Sequence, residues 1–273
     1  MNDYSKWLLV SDIDGTLNDK KMQLPPNNKE AINRFVSNGG VFTLCSGRNL
    51  QSLGIHYDKL NIETPAIFLN GAGIYDFKNE KIVCFKPISY EGEKIILDIV
   101  KKHKTIQLTV AGADTLYLAT RRCFYGYVVS KVDSLNFKLC KRIKDLPSGN
   151  WGKVSLFGFP CLLKKIDNYI KRECNDIFET FYTSPFTLEI VSSGVNKGSA
   201  VFELAKILGI DSQNVGAIGD YYNDLPMLKI VAHPVCCGQA PDDIKNICEY
   251  VTCHCNDGAV SDFINYIEKT YIL

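Results

Sequence analysis

The feature that most constrains the fold is an alternation of short apolar runs with amphipathic stretches. Three runs in the N-terminal part have the length and composition of buried strands: residues 7–10, 41–45 and 66–69. Helix-like stretches at 26–38 and 49–60 separate them, and strands joined by such helices predict right-handed crossovers and a parallel sheet. The same alternation returns from residue 197 onward, with predicted strands at 215–218 and 233–236. Both ends of the chain are therefore expected to contribute to one doubly wound sheet.

The middle of the chain follows a different pattern. Two short runs at 74–76 and 81–85 are separated by a four-residue turn and predict an antiparallel hairpin. Between about 87 and 188, strand-like and helix-like segments occur in mixed order, which favours a separate α+β domain. We therefore predict an α/β fold with a doubly wound, mostly parallel, Rossmann-like core (1–85 and 189–273) and an inserted α+β domain (86–188).

The charge balance excludes a global electrostatic attraction to polyanions. The chain has 31 Lys and Arg against 30 Asp and Glu, a net charge of +1, so neither nucleic acid nor a membrane is an expected partner. Asp12 and Asp14 interrupt the first apolar run after a few residues, which is too short for a signal peptide or a membrane span. We expect a cytoplasmic protein with reduced thiols, in which any anion is bound at a local site.

The eleven cysteines form no evenly spaced framework. Several gather near the C-terminus together with two histidines: Cys236, Cys237, Cys248, Cys253, Cys255, His233 and His254. A zinc site would ordinarily show paired CxxC spacing, which this segment lacks, and free cysteine is common in buried cores. We expect core packing, and the sequence leaves open whether this group binds a metal.

The strongest local signal is the sequence SDIDGTL, which follows the first predicted strand. Because side chains alternate along a strand, Asp12 and Asp14 point the same way and share one site. Ligands of open α/β sheets bind at this edge, beyond the carboxyl ends of the strands. Two such close carboxylates repel each other unless a cation or a proton intervenes, which suggests Mg²⁺ beside one and a proton on the other. The alternative is a solvated acidic turn that ends in glycine.

Two further loops offer groups that bind phosphate. Ser46 and Gly47 follow the second strand and bring a hydroxyl and backbone N–H groups to a predicted helix start. The alternative for Ser46 is a simple helix N-cap. Lys197 opens a later helix, where a cation is unfavourable to the macrodipole, which suggests a role toward an anion and neighbouring carboxylates. The alternative is an exposed lysine whose charge is screened by water.

A fourth loop, GDYYND, again places a carboxylate at the end of an apolar strand. Asp220 follows the run at 215–218, and Asn223 and Asp224 precede the next predicted helix. Helix N-capping would account for Asn223 or Asp224. It leaves Asp220 unexplained, so we expect Asp220 to join the acidic site.

These four segments resemble the four motifs of the haloacid dehalogenase superfamily, in the same order. The sequences DxDGT at 12–16 and GDxxNDxxML at 219–228 form a highly specific pair, and the long insertion resembles the large α/β cap of the Cof-type phosphatases. The resemblance implies Mg²⁺-dependent hydrolysis of a small phosphorylated metabolite, such as a sugar phosphate, through an aspartyl phosphate. Ser46 stands where the family more often has threonine, and the hydroxyl is kept.

The resemblance also implies a role for each motif residue. Asp12 would be the nucleophile and a metal ligand, and Asp14 would be the general acid and then base, lending its backbone carbonyl to the metal. The other implied roles are phosphate binding by Ser46, Gly47, Lys197 and Asn223, metal binding by Asp220 with support from Asp224, and a substrate entrance at Asn70 and Gly71.

Four other functions share parts of this pattern. Dehalogenases lack the second aspartate, so Asp14 argues against that activity. A hexose phosphomutase of the same superfamily would form an isomer instead of releasing phosphate. A regulatory protein that binds phosphate without turnover is disfavoured, because every matched catalytic position holds a competent residue. A dinucleotide-binding domain would need GxGxxG where this chain has DIDG.

Specificity is expected to lie in the inserted domain, whose loops would close over the leaving group. Candidate lining residues are Tyr117, Arg121, Arg122, Phe124, Tyr125 and Tyr127. Packing of the domain's own core is the alternative role for the aromatic members of this set. The sequence predicts neither the individual substrate nor the oligomeric state.

Overall fold

The computed structural model describes residues 3–119, 137–140 and 142–272. Within these ranges the strands, in chain order, are β1 (Leu8–Ser11), β2 (Val41–Leu44), β3 (Ala66–Phe68), β4 (Gly73–Asp76), β5 (Lys81–Phe85), β6 (Gln107–Ala111), β7 (Leu116–Leu118), β8 (Phe137–Leu139), β9 (Lys153–Phe157), β10 (Phe178–Ser184), β11 (Thr187–Ser192), β12 (Val215–Gly219), β13 (His233–Cys236) and β14 (Tyr250–Val251). The helices are α1 (Pro26–Ser37), α2 (Leu50–Tyr57), α3 (Tyr90–Lys102), α4 (Pro160–Glu173), α5 (Lys197–Leu208), α6 (Leu225–Leu228), α7 (Asp242–Lys245) and α8 (Ala259–Ile267).

The core sheet consists of β14, β13, β12, β1 and β2, in that order. All of its pairings are parallel, and Val10 of β1 lies between Ala217 of β12 and Thr43 of β2. Parallel neighbours need long crossover connections, which the intervening helices supply. The predicted fold class, an α/β fold with a doubly wound parallel core, is confirmed.

Alternate residues of β1 face opposite layers of helices. Leu9 packs in an apolar cluster with Phe35 of α1 and Phe263 of α8, whereas Leu8 and Val10 pack in the cluster that contains the buried face of α5. All three β1 side chains are inaccessible to solvent. Because both faces of this strand are buried, its sequence is a continuous apolar run. The strand is thus a firmly packed base for the loop that follows it.

One predicted strand belongs elsewhere. We expected residues 66–69 to join the parallel sheet, but β3 pairs antiparallel with β4, which pairs with β5 in a separate three-stranded sheet. Its contact with the end of β2 is a single parallel bridge between Cys45 and Ile67. Only four residues separate β3 from β4, and so short a connection can join antiparallel strands but cannot make a crossover.

The cap sheet is our name for the six-stranded sheet with the order β10, β11, β9, β6, β7, β8. Its pairings are antiparallel apart from β7 with β8. Helices α3 and α4 pack on it through Ile96 and Leu163, in a hydrophobic cluster separate from those of the core sheet. An additional α+β unit is therefore present, as predicted, while the boundaries at 86 and 188 stay predictions.

Across the described residues, every helix is either too short or too polar to cross a lipid bilayer.

Candidate active site

Asp12 lies at the carboxyl edge of the core sheet, directly after β1. Its backbone N–H donates to the Ile218 carbonyl of β12 at 3.0 Å, and only 4% of the residue is exposed. Gly15, three residues on, has a φ of 78°, and a Cβ there would lie 2.5 Å from an Asp220 carboxylate oxygen. Glycine is therefore required by both conformation and close approach, and it allows the two acidic loops to meet.

Lys197 is the cation of the site. It is the first residue of α5 and lies between the two capping-box residues, Asn196 and Ser199; its side chain is fully buried. Its Nζ donates to Asp12 Oδ1 and to Asp224 Oδ1, each at 2.5 Å. A buried ammonium ion is tolerated only when paired and hydrogen-bonded, and the two carboxylates meet that requirement here.

Asp224 joins the site instead of capping a helix. It precedes α6 but makes no side-chain capping bond to it. Its Oδ2 accepts from the backbone N–H groups of Asp220 at 2.9 Å and Tyr221 at 3.2 Å, while its Oδ1 binds Lys197. A Cβ on Gly219 would lie 2.5 Å from this carboxylate. The capping alternative is therefore excluded for Asp224.

The carboxylates outnumber the cation. Oxygens of Asp12, Asp220 and Asp224 all lie within 4.8 Å of one another, and among the described residues no other set of three His, Cys, Asp or Glu side chains is placed to hold a metal. Three carboxylates against the single Lys197 ammonium leave two excess negative charges. Hard oxygen donors with that excess suit a divalent cation such as Mg²⁺. The residues present therefore fit the metal that the resemblance implies.

The pKa values of the site reflect burial and this crowding. Burial raises the pKa of Asp12 well above its usual range; Lys197 opposes the shift, and Asp224 adds to it. Burial, and then Asp224, raise the pKa of Asp220 to about 7. Burial also lowers the pKa of Lys197, but Asp12 and Asp224 outweigh that effect and the net shift is upward. Lys197 is thus a permanent cation, while the carboxylates need further positive charge to stay ionised together.

Ser46 lies in the loop between β2 and α2. It is buried; its N–H donates to the Ile67 carbonyl at 3.0 Å, and its Oγ accepts from the Arg48 N–H at 3.2 Å. The N-cap of α2 is Asn49, whose side chain accepts from the Ser52 N–H at 2.9 Å. Ser46 is therefore not the N-cap, and the helix begins at Leu50, one residue after the predicted start.

Asp14 is held by a residue that the sequence reasoning missed. Arg48 donates from Nε to Asp14 Oδ2 at 2.8 Å and from Nη2 to Oδ1 at 2.6 Å. The Asp14 side chain is 46% exposed, against 11% for Arg48. The available signal was its position, because Arg48 directly follows Ser46 and Gly47 in the same loop and a guanidinium matches a carboxylate as a planar fork.

Comparisons with known proteins agree with this arrangement. Residues 9–264 match the family model of haloacid dehalogenase-like hydrolases. The chain belongs to that family. A 5-amino-6-(5-phospho-D-ribitylamino)uracil phosphatase of Bacillus subtilis is 27% identical over 247 residues, which cover 90% of this chain and 89% of that protein.

Two solved structures share the fold of this haloacid dehalogenase-like hydrolase. One is a haloacid dehalogenase-like hydrolase from Bacteroides thetaiotaomicron, with a TM-score of 0.84, 21% identity and coverage of 96% of this chain and 99% of that one. The other is a subclass IIB sugar phosphatase, with a TM-score of 0.84, 20% identity and coverage of 98% and 100%. The resemblance to the Cof-type phosphatases of this superfamily is confirmed, and so is the predicted phosphatase class.

Asn70 and Gly71, assigned to a substrate entrance, are buried beneath the cap sheet. Asn70 is fully buried with a φ of 56°, and its Nδ2 donates to Glu189 of β11 at 2.5 Å. Its Oδ1 has no hydrogen-bond partner among the described residues. Gly71 has a φ of 100°, and a Cβ there would lie 2.2 Å from the Asn196 carbonyl oxygen. This segment therefore joins the cap sheet to the start of α5.

Lys153 and Glu189 were also missed. Lys153 of β9 and Glu189 of β11 form a buried ion pair, and Lys153 Nζ also donates to the Gly47 carbonyl at 2.6 Å. The available signal was a charged residue inside each of two strand-like apolar segments, KVSLF and TLEIV. Charged side chains are rarely buried unless they are paired, so each of these two residues would need a partner of opposite charge.

The structure describes only two of the remaining candidate residues, Asn223 and Tyr117. Asn223 is half-buried in the loop before Asp224. Tyr117 is half-buried on β7, with the Lys138 ammonium 6.0 Å from its ring centroid. The other cap candidates lie outside the described residues: Arg121, Arg122, Phe124, Tyr125 and Tyr127.

Proposed function

We propose that this haloacid dehalogenase-like hydrolase is a Mg²⁺-dependent phosphatase that hydrolyses a small phosphorylated metabolite through a phosphoryl group carried on Asp12. The observation that carries the proposal is the position of Asp12 at the sheet edge, 2.5 Å from the fully buried Lys197 ammonium and beside two further carboxylates. A firmly held anionic nucleophile beside a fixed cation is what phosphoryl transfer requires of a protein.

The first step transfers the phosphoryl group to the protein. An Asp12 carboxylate oxygen attacks phosphorus in line with the ester bond; the new phosphorus–oxygen bond forms as the bond to the leaving oxygen breaks. Asp14 gives its proton to that oxygen, which leaves as an alcohol. Lys197 remains charged throughout and offsets the negative charge of the phosphoryl oxygens.

The second step regenerates the enzyme. A water molecule attacks the phosphorus of the aspartyl phosphate and gives a proton to Asp14, and the bond to the Asp12 oxygen breaks. Inorganic phosphate is released, and both aspartates return to their starting states. Asp14 thus acts first as acid and then as base, a use that suits a half-exposed carboxyl group at the mouth of the site.

Asp12 and Asp220 would hold the Mg²⁺ ion, together with the backbone carbonyl of Asp14. When bound, the ion would balance the two excess negative charges and neutralise part of the phosphate charge. Ser46, Gly47 and Asn223 would bind the phosphoryl oxygens from the neighbouring loops. Asp224, whose two oxygens already accept from Lys197 and backbone N–H groups, would support the ion indirectly.

The relatives indicate a substrate class. The Bacillus subtilis relative is named for a phosphorylated ribityl compound, and one solved neighbour is a sugar phosphatase. Both names describe a phosphate ester on a chain of hydroxyl-bearing carbons. We therefore infer a phosphorylated sugar or sugar alcohol as the substrate of this chain.

A panel of phosphorylated metabolites, assayed for phosphate release with Mg²⁺ and with a chelator, tests the proposal. We expect Mg²⁺-dependent release from at least one sugar or polyol phosphate. Acid quenching during turnover, followed by peptide mass spectrometry, should find a phosphoryl group on the peptide that contains Asp12. Phosphate release that is unchanged by the chelator, or an isomerised sugar phosphate without free phosphate, would refute the proposal.

A further inference from the structure

The buried pair of Lys153 and Glu189 lies outside the residues of the proposed mechanism. The two residues sit on adjacent strands of the cap sheet and are 8% and 7% exposed. Glu189 also accepts from Ser155 Oγ at 3.4 Å and from Asn70 Nδ2. Two ionised groups are expensive to bury, and a hydrophobic pair of the same size often packs as well. A buried ion pair at this junction suggests a role that a hydrophobic pair could not fill.

Lys153 contacts the loop that binds phosphate in the proposed mechanism. Its ammonium group donates to the Gly47 carbonyl, 106 residues away in sequence, at 2.6 Å. That carbonyl shares its peptide plane with the N–H of Arg48, which donates to Ser46 Oγ at 3.2 Å. Because a peptide unit is planar, the bond from Lys153 fixes the direction in which Arg48 leaves the loop.

Arg48 in turn is fixed along its length. Its carbonyl accepts from the Leu69 N–H at 3.0 Å, and its Nη1 donates to Ser52 Oγ at 2.5 Å. The other edge of the guanidinium group binds both oxygens of Asp14. A planar two-bond contact sets the rotation of a carboxylate as well as its position. The half-exposed Asp14 side chain, which precedes the left-handed Gly15, thereby gains a defined orientation.

We propose that Lys153 of the cap sheet is a positioning residue for Asp14, acting through the peptide between Gly47 and Arg48 and through the Arg48 guanidinium group. This rests on the proposed function, in which Asp14 protonates the leaving alcohol. The contact connects the cap sheet to the proton-transfer group and leaves the Asp12 nucleophile untouched. The cap sheet therefore aligns the acid only when it is seated on the core.

Comparing two leaving groups separates a positioning role of Lys153 from a purely structural one. An alkyl alcohol is a poor leaving group without a proton, whereas a nitrophenolate leaves readily as the anion. Loss of alignment at Asp14 should therefore slow alkyl phosphates much more than a nitrophenyl phosphate. The ratio of the two kcat/KM values, measured on one preparation, does not depend on how much of that preparation is folded.

The test compares Lys153→Met, Arg48→Met, the double variant and Asp14→Asn, assayed on nitrophenyl phosphate and on the best sugar phosphate of the panel. General acid catalysis typically contributes about 10²–10⁴-fold, so we expect the alkyl-to-aryl ratio to fall by about 10²-fold in Asp14→Asn and about tenfold in Arg48→Met. Lys153→Met should lower it by roughly threefold to tenfold. Because Lys153 acts through Arg48, the double variant should match Arg48→Met alone.

Two controls separate structural effects from positioning. Lys153→Met/Glu189→Gln removes both charges of the pair and should fold well while keeping the lowered ratio. Lys101→Met removes an exposed cap lysine paired with Asp98 and should leave the ratio unchanged.

Each contrary outcome has a distinct meaning. An unchanged ratio in Lys153→Met, or additive losses in the double variant, would overturn the positioning role while leaving the phosphatase intact. Activity that survives in Asp12→Asn would instead reject the proposed function itself.

Discussion

Among the residues that the structure describes, two lysines are buried beside the proposed phosphate site, and they differ in their surroundings. Lys197, in the core, is fully buried and binds Asp12 and Asp224, with Asp220 close by. Lys153, in the cap sheet, is 8% exposed and faces a single carboxylate, Glu189. Three carboxylates therefore surround Lys197, whereas a single carboxylate balances Lys153. The two side chains are buried to a similar degree, so the local charge balance is what distinguishes them.

The difference indicates which part of the molecule is built for chemistry. A balanced buried pair satisfies its own charges and can serve structure or positioning. A cluster with excess negative charge is costly in the free protein and becomes favourable when a cation and a reacting group bind. If this contrast between the surroundings of Lys197 and Lys153 is real, variants of the two sites should differ in activity, in stability and in their response to Mg²⁺.

The largest effect is expected from Asp12→Asn. Removing the nucleophile should reduce phosphate release by at least about 10⁴-fold, since loss of a nucleophile is among the most damaging changes to an enzyme. The melting temperature should not fall, because the substitution removes one of three crowded carboxylates. Kinetic assays and thermal denaturation measure the two effects. Near-normal turnover, or a destabilised protein, would contradict the assignment.

The second comparison sets Lys197→Met against Lys153→Met on nitrophenyl phosphate. Lys197→Met should lower kcat/KM by about 10²–10³-fold, because it removes a fixed charge that is worth that much in comparable sites. Lys153→Met should lower it only a few-fold, since Lys153 contacts neither Asp12 nor the other acidic residues of the site. Equal losses of kcat/KM in the two variants would mean that Lys197 and Lys153 do not differ in function.

The third comparison concerns stability. Lys153→Met leaves the Glu189 carboxylate buried without its cation, which should lower the free energy of unfolding by about 3–5 kcal/mol. Lys153→Met/Glu189→Gln should recover more than half of that loss. The matched control is the exposed pair Lys101 and Asp98, where Lys101→Met should cost at most about 1 kcal/mol. Chemical denaturation measures all three, and a small effect of Lys153→Met would show that the pair is solvated.

The sequence predicts the Lys197 site well, because topology alone brings its residues together. Asp12 and Asp220 each follow a strand of one parallel sheet, and the carboxyl ends of such strands share an edge. The misfit between Lys197 and the helix dipole was a local signal of an anionic partner. The position of each residue at the end of a strand or the start of a helix was therefore enough to predict the Lys197 site.

The surroundings of Lys153 were not predictable in the same way. Its contact with Gly47 depends on how the cap sheet docks on the core, and no local pattern reports contacts between residues so far apart. The assignment of β3 to the parallel sheet failed for a related reason, since its apolar run looks the same in either sheet. Arg48 directly follows Ser46 and Gly47, but the sequence does not show which carboxylate its side chain reaches.

The smallest expected effect, a shift in melting temperature, tests the charge excess around Lys197 most directly. Mg²⁺ at about 100 times its Kd should stabilise the protein by about 2.7 kcal/mol, or roughly 5 °C in a chain of this size. The control Asp220→Asn should lose most of this shift, whereas Glu189→Gln, in the balanced pair, should keep it.

The shift should also depend on pH, with a sign set by Asp220. Its pKa rises from 3.8 to about 7 on folding, so this group makes the metal-free fold less stable as pH rises between those values. Below about pH 7 the metal must displace a proton, and above it the carboxylate is already ionised. The Mg²⁺-induced shift should therefore be larger at about pH 8 than at about pH 5. Equal shifts at both pH values would mean that the ion binds away from Asp220, and the charge excess around Lys197 would then need another explanation.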